Sequence, residues 1–163
     1  MTWAGDPRPH DRGAHRIDRR RSLPLDHFAP LGAIPGVSFI SLQKGPAAAQ
    51  SPPPGLSLTD WSDELVDFAD TAALIAGLDL VITVDTSIAH LAGALGKPVW
   101  VLSRYDGCWR WLQNRDDSPW YPTLRLFRQT KPGTWAEVIA TLATTLKAEV
   151  GLKAEVKSPP PPE

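Results

Sequence analysis

The sequence predicts an α/β fold built on a doubly wound parallel sheet with helices on both faces. Three observations carry this. Val37–Leu42, Leu80–Val84 and Pro98–Leu102 are short, rich in β-branched and aromatic residues, and bounded by turn residues, as strands are. Leu80-Val-Ile-Thr-Val84 shows almost no polar alternation, the pattern of a strand covered on both faces. Helical stretches alternate with these strands, which implies right-handed crossovers between parallel neighbours. The expected organisation is Rossmann-like, with one domain over residues 1–148. A Lys/Glu- and Pro-rich tail, expected to be disordered, covers 149–163.

The elements follow in order. Residues 2–4 read as a short strand broken at Gly5-Asp6-Pro7. Residues 5–21 read as a polar, arginine-rich loop. Ser22 is placed to cap a helix running to about Leu31, with Pro24 in its first turn. The strand at 37–42 is followed by the loop Gln43-Lys44-Gly45, an exposed low-complexity run over 46–55, and a weak strand near Leu58. Asp70-Thr71 would cap a helix through Ile75 that Gly77 ends. After the strand at 80–84, a helix is expected from Ser87 to Leu95, closed by Gly96. Residues 103–122 form a Trp- and Arg-rich segment, and Leu124–Phe127 a final strand. Thr134 would cap a last helix with Val138, Ile139, Leu142 and Leu146 on one face, ending near Gly151.

Composition narrows the function classes. The 163 residues are 42% hydrophobic and 21% charged, with a net charge of −1, so nothing global argues for nucleic acid or a membrane surface. The single cysteine, Cys108, has no partner within the chain, which points to a reducing, cytoplasmic setting. No apolar run is long enough to span a bilayer. Because Thr2-Trp3-Ala4-Gly5 reads as a strand end with nothing before it, the chain is expected to be a piece of a longer protein, with Met1 added.

In doubly wound sheets ligands bind beyond the strand C-termini, which selects the loops after residues 4, 42, 84 and 102. Asp85, Thr86 and Ser87 sit at that rim, where the free N–H groups of a helix N-terminus favour an anion such as a diphosphate. From the tripeptide alone, an ordinary helix cap is the stronger reading. His90, about one turn further, can lie on the same face and donate to phosphate or to a ribose hydroxyl, or simply pack. Of the arginines between Arg8 and Arg21, most read as solvated; Arg20 and Arg21 are best placed to be held at the rim. Gln43, Lys44 and Gly45 bring a charge and a close backbone approach, but no Walker or Gly-x-Gly-x-x-Gly pattern is present. Trp109, Trp111, Trp120 and Tyr121 could stack on a ligand or seal a loop over the core. No metal-ligand cluster and no Ser/His/Asp arrangement is readable, so no metal and no cofactor are expected and a catalytic residue is not assigned.

Several blocks come in a fixed order: Trp3-Ala-Gly-Asp-Pro7, Arg19-Arg-Arg-Ser-Leu-Pro-Leu25, Pro35-Gly-Val-Ser-Phe39, Ser41-Leu-Gln-Lys-Gly45, Asp67-Phe-Ala-Asp-Thr-Ala-Ala-Leu-Ile75, Val84 to Pro98, and Ser118-Pro-Trp-Tyr-Pro122. Together they resemble the C-terminal domain of heptosyltransferase-like (family 9) glycosyltransferases, of the kind found behind tetratricopeptide repeats in bacterial proteins. The resemblance covers roughly residues 2–146, and Asp85-Thr-x-x-x-His-x-Ala-x-Ala-x-Gly-x-Pro98 is its most specific block. It implies half of a GT-B fold, metal-independent transfer, and a nucleotide-diphosphate sugar as donor. Asp85, Thr86, Ser87 and His90 would surround the donor diphosphate, with Arg20 or Arg21 as the basic residue after the first strand. Gln43, Lys44 and Gly45 would face the nucleoside. Ser87 stands where the family usually has glycine. The acceptor domain and the general base would belong to an N-terminal half, so this domain alone would bind donor without turnover. The alternative is a non-catalytic Rossmann-like interaction module beside helical repeats, with the Trp-rich segment as its contact surface. A phosphate-ester or NAD-type domain is disfavoured by the missing glycine fingerprint.

Overall fold

The computed structural model describes residues 1–157; residues 158–163, within the expected tail, lie outside it. Among the described residues five strands run parallel to their neighbours. They are β1 (Phe39–Ser41), β2 (Leu58–Asp60), β3 (Val81–Val84), β4 (Val99–Ser103) and β5 (Leu124–Arg128). β1 pairs with β2, and β3-β4-β5 form a second group. The N-terminal segment joins the two. Met1 donates to the Ile40 carbonyl and accepts from the Leu42 amide, while Thr2 exchanges bonds with the Ile82 carbonyl and the Val84 amide. Thr2 bridges Thr83 in parallel. The spatial order is therefore β2, β1, the N-terminal segment, β3, β4, β5, the order of a Rossmann sheet whose first strand is the N-terminal segment. The reversal of direction falls between that segment and β3.

Both faces are covered, as the unbroken apolar strands require. Along β3 and β4 successive side chains point to opposite faces. Ile82, Val84, Trp100 and Leu102 pack with Trp3, Leu25, Phe28 and Leu31 and with Val138, Ile139 and Leu142 of the last helix. Val81, Val99 and Val101 pack with Ile75, Ile88, Ala89, Ala92 and the fully buried Trp111.

Among the described residues four α-helices occur: α1 (Arg12–Arg21), α2 (Phe68–Ala76), α3 (Ser87–Ala94) and α4 (Trp135–Lys157). Here the structure corrects several expectations. The arginine-rich stretch is a helix, not a loop, because the Asp11 carboxylate accepts from the Gly13 and Ala14 amides and starts it. Ser22 ends that helix instead of starting the next. Its amide returns to the Asp18 carbonyl and its hydroxyl accepts from the Gly5 amide. The helix expected from Ser22 to Leu31 is a 3-10 run over Leu25–Ala33. α2 is capped by Asp67 with Asp70 closing a reciprocal capping box, three residues before the Asp70-Thr71 cap expected. The Thr134 hydroxyl closes the preceding turn with Lys131. α4 runs past Gly151 to Lys157, through good helix formers that outweigh one internal glycine.

Candidate functional site

Three chain segments end at the same rim. The N-terminal segment turns away at Gly5, β1 ends in Gln43-Lys44-Gly45, and β3 ends at Asp85 before α3. Together with the start of α2 they enclose a cleft of about 430 Å³. Thr2, Gly5, Gln43, Lys44, Gly45, Thr86 and Ser87 line one side, and Leu65, Val66, Phe68 and Thr71 the other.

Thr86 is the N-cap of α3. Its hydroxyl accepts from the Ile88 amide at 3.3 Å and its carbonyl accepts from the Ala89 amide at 3.2 Å. The Ser87 amide is left as an orphan donor of the first turn, at the positive end of the helix. Ser87 itself is exposed, so the positive end of α3 opens to the cleft.

Gln43 is buried, and its carboxamide is fully engaged. Oε1 accepts from the Trp3 and Ala4 amides at 3.0 and 2.9 Å, while Nε2 donates to the Ala4 and Lys44 carbonyls at 3.0 and 2.9 Å. It thereby extends the pairing of the N-terminal segment and β1 beyond the last backbone bond. The Lys44 ammonium donates to the Ser62 and Leu65 carbonyls at 2.7 and 2.8 Å, so it holds the far wall of the cleft in place. Gly45 has φ +74°, a conformation that favours glycine, and a Cβ there would meet nothing within 4 Å. The requirement at Gly45 is thus backbone conformation, not space.

Asp85, His90 and Arg21 lie on the other side of the α3 start. Arg21 donates to the Asp85 carbonyl at 2.7 Å and to the Asp18 carboxylate at 3.0 Å. This pair packs directly on Gly5, where a Cβ would come within 2.3 Å of both Asp18 and Arg21. Arg20 points elsewhere, into an ion pair with Asp106 that Arg104 shares. The imidazole of His90 stacks on Trp111 at 5.0 Å, and its Nδ1 lies 3.1 Å from the Tyr121 hydroxyl. Burial lowers its pKa from the ordinary value; the Asp85 carboxylate opposes this and Arg110 adds to it. The residues expected at one site therefore form two groups. Thr86 and Ser87 share the cleft with Gln43, Lys44 and Gly45. Asp85, His90 and Arg21 flank the same helix start.

The aromatic segment divides in the same way. Trp111 is core, and Tyr121 packs on His90 and Gly93. Trp109 and Trp120 are exposed, with the Arg110 guanidinium over the Trp109 ring and the Trp120 indole donating to the Arg110 carbonyl. Arg128 of β5 anchors the segment by donating to the Trp111 and Arg115 carbonyls.

Val66 and Phe68, 87% and 61% exposed, form an apolar lip on the cleft that motif reasoning missed. The signal was present in the block starting at Asp67, where an aromatic sits in the first turn of a helix that leaves a strand C-terminus. Capping chemistry accounted for the aspartates there and left Phe68 unexplained. Among the described residues no three His, Cys, Asp or Glu converge as a metal site, and no helix is long and apolar enough to cross a membrane.

Comparison with known proteins gives a family match and one relative. Residues 65–105 match the family model of glycosyltransferase family 9 (heptosyltransferase), a span that runs from the apolar lip through β3 and α3 to the end of β4. The chain is also similar to Protein FlbA of Caulobacter vibrioides, with 32% identity over 135 residues. That match covers 78% of this chain and 22% of FlbA, so the chain spans about a fifth of that relative's length. No solved structure matches. The chain thus carries a glycosyltransferase family 9-like domain.

Proposed function

We infer that this domain binds a nucleotide-diphosphate sugar, as the donor-binding part of a metal-independent glycosyltransferase with the two-domain GT-B arrangement. One observation carries the reading: the open N-terminus of α3, with its unpartnered Ser87 amide, shares a cleft with the ends of two other strands and with the apolar lip of Val66 and Phe68. A diphosphate suits the helix start, and a planar base suits the lip. The family 9 match over this same span supports a nucleotide sugar as the ligand class.

The transferred sugar would extend from the diphosphate toward Asp85, His90 and Arg21. As its bond to the diphosphate breaks, negative charge grows on the leaving oxygens. The α3 amides and the Arg21 guanidinium, fixed in place before the reaction, would stabilise that charge. Arg21 is held by Asp18 and by the Asp85 carbonyl, so it needs no reordering. Deprotonation of the acceptor would fall to a group on a preceding acceptor-binding domain, itself following tetratricopeptide repeats. This domain alone would bind donor and not turn it over.

The test is an NMR titration of the labelled chain with ADP-, UDP- and GDP-sugars. The expected result is saturable perturbation of amides at 42–45, 66–68 and 85–91, weakened by Asp85→Ala or His90→Ala. No perturbation at millimolar ligand would sink the reading. Capture of a partner protein that depends on Trp109 and not on Asp85 would point instead to an interaction module.

A further inference from the structure

Helix α1 carries a charge pattern that the cleft does not use. Arg12, His15, Arg16 and Arg19 fall at i, i+3, i+4 and i+7, so they share one face. With Pro9 and Arg20 they line a surface pocket of about 320 Å³. His15 is held against the pocket wall by a 2.7 Å contact between Nδ1 and the Pro7 carbonyl.

These arginines stand apart from the rest. Arg8, Arg20, Arg21, Arg104 and Arg115 are paired with carboxylates. Arg110 and Arg125 lie over aromatic rings, and Arg128 donates to carbonyls. Among the described residues Arg12, Arg16 and Arg19 have neither an ion pair nor a side-chain hydrogen bond.

The arrangement works against the helix that bears it. Arg12 and Arg16, like Arg16 and Arg20, are like charges one turn apart, which is destabilising. Arg12 also sits in the first turn, at the positive end of the helix dipole, where the only offsetting acid is the N-cap Asp11, already committed to the Gly13 and Ala14 amides. The chain as a whole is nearly neutral, at −1, so general basicity does not account for the cluster. An anion in the pocket would relieve both repulsions at once. Guanidinium forks match the oxygens of a phosphate two at a time, and several around one concave surface favour a group with more than one charge.

We propose that this face of α1 is a second oxyanion site, separate from the cleft at α3, which takes a multivalent phosphate group of either a free phosphate compound or a lipid headgroup. Pyrophosphate titrated into the labelled chain is expected to shift the Nε–H signals of Arg12, Arg16 and Arg19 and the amides at 11–20. The triple variant Arg12→Gln, Arg16→Gln, Arg19→Gln should weaken that binding by roughly tenfold or more. All three side chains are exposed, and an unchanged amide spectrum over 81–103 would establish that the variant is folded.

A second arm sediments the chain with phosphatidylcholine vesicles with and without phosphatidic acid. Co-sedimentation that requires phosphatidic acid and is lost in the variant assigns the lipid source. Pyrophosphate binding without co-sedimentation assigns a free phosphate compound. Equal shifts from chloride at matched ionic strength, or shifts unchanged in the folded variant, would overturn the proposal. The readout at 11–20 is distinct from that at 85–91, so this site and the donor cleft stand or fall separately.

Discussion

His90 shows how one side chain joins the core to the rim. Its ring stacks on the buried Trp111 while its Nδ1 reaches the Tyr121 hydroxyl. Burial, only partly offset by Asp85, favours the neutral imidazole in the folded chain, whereas the unfolded chain keeps the ordinary value near 6.5. Below that value the unfolded state binds more protons than the folded one, so stability falls as pH drops through the window from about 6.5 to the lowered value. An NMR titration of the His90 ring should report a pKa below the ordinary value, and Asp85→Asn should lower it further. A midpoint at or above the ordinary value would refute the burial argument. Gln43 makes a second residue-level prediction. Gln43→Ala strips partners from buried backbone groups of Trp3 and Ala4, at a cost of about 1–3 kcal/mol in urea unfolding. An unchanged midpoint would show the carboxamide to be dispensable. The sequence placed Gln43 at a rim loop correctly. It could not show that the amide faces inward, because that depends on the N-terminal segment lying beside β1, a pairing of residues some forty positions apart.

At the scale of elements, α3 is the piece whose placement matters most. One face packs into the core through Ile88, Ala89 and Ala92, and its start is presented to the cleft. Its Gly93 is required by contact: a Cβ there would lie 2.5 Å from Tyr121 Cγ. Gly93→Ala should therefore displace the Tyr121 ring, release its hydroxyl from His90, and cost about 1–3 kcal/mol by overpacking. Urea unfolding measures the cost, and loss of the Tyr121–His90 contact should appear as a shifted His90 titration. Strand positions and the start of α3 were legible from apolar runs and cap residues, which are local signals. α1 was not. Its polar composition resembles a loop, and the cue that makes it a helix is Asp11, one capping carboxylate four residues after Pro7. The run at Leu25–Ala33 is a 3-10 helix where the Ser22 cap and Pro24 predict an α-helix, because Ser22 is spent on ending α1.

For the whole molecule, the fold and the cleft are one consequence of the strand order. The N-terminal segment separates β1 from β3, so the chain leaves the sheet in opposite directions on its two sides and a crevice opens between the exits. If a nucleoside diphosphate occupies that crevice in the native state alone, stabilisation follows by mass action. At a hundredfold excess over Kd it amounts to about 2.7 kcal/mol. For a domain of this size that is a rise in Tm of roughly 5–10 °C, dependent on ligand concentration. A thermal melt that does not respond to ligand would count against the cleft as a binding site.

The sequence by itself determined the α/β class, the two-sided burial of β3 and β4, and the rim position of Asp85 to Ser87, since all three rest on local periodicity and capping. It also carried the family resemblance, which depends on the order of short blocks. Only the tertiary structure decided which rim residues share one cleft. Thr86 and Ser87 meet Gln43, Lys44 and Gly45 there, under a lip of Val66 and Phe68, while His90 turns to Trp111 and Arg20 to Asp106. The reason is geometric: a strand end places a residue at the rim, but which way its side chain faces is set by neighbours distant in sequence. Pairing and packing alone bring those neighbours together.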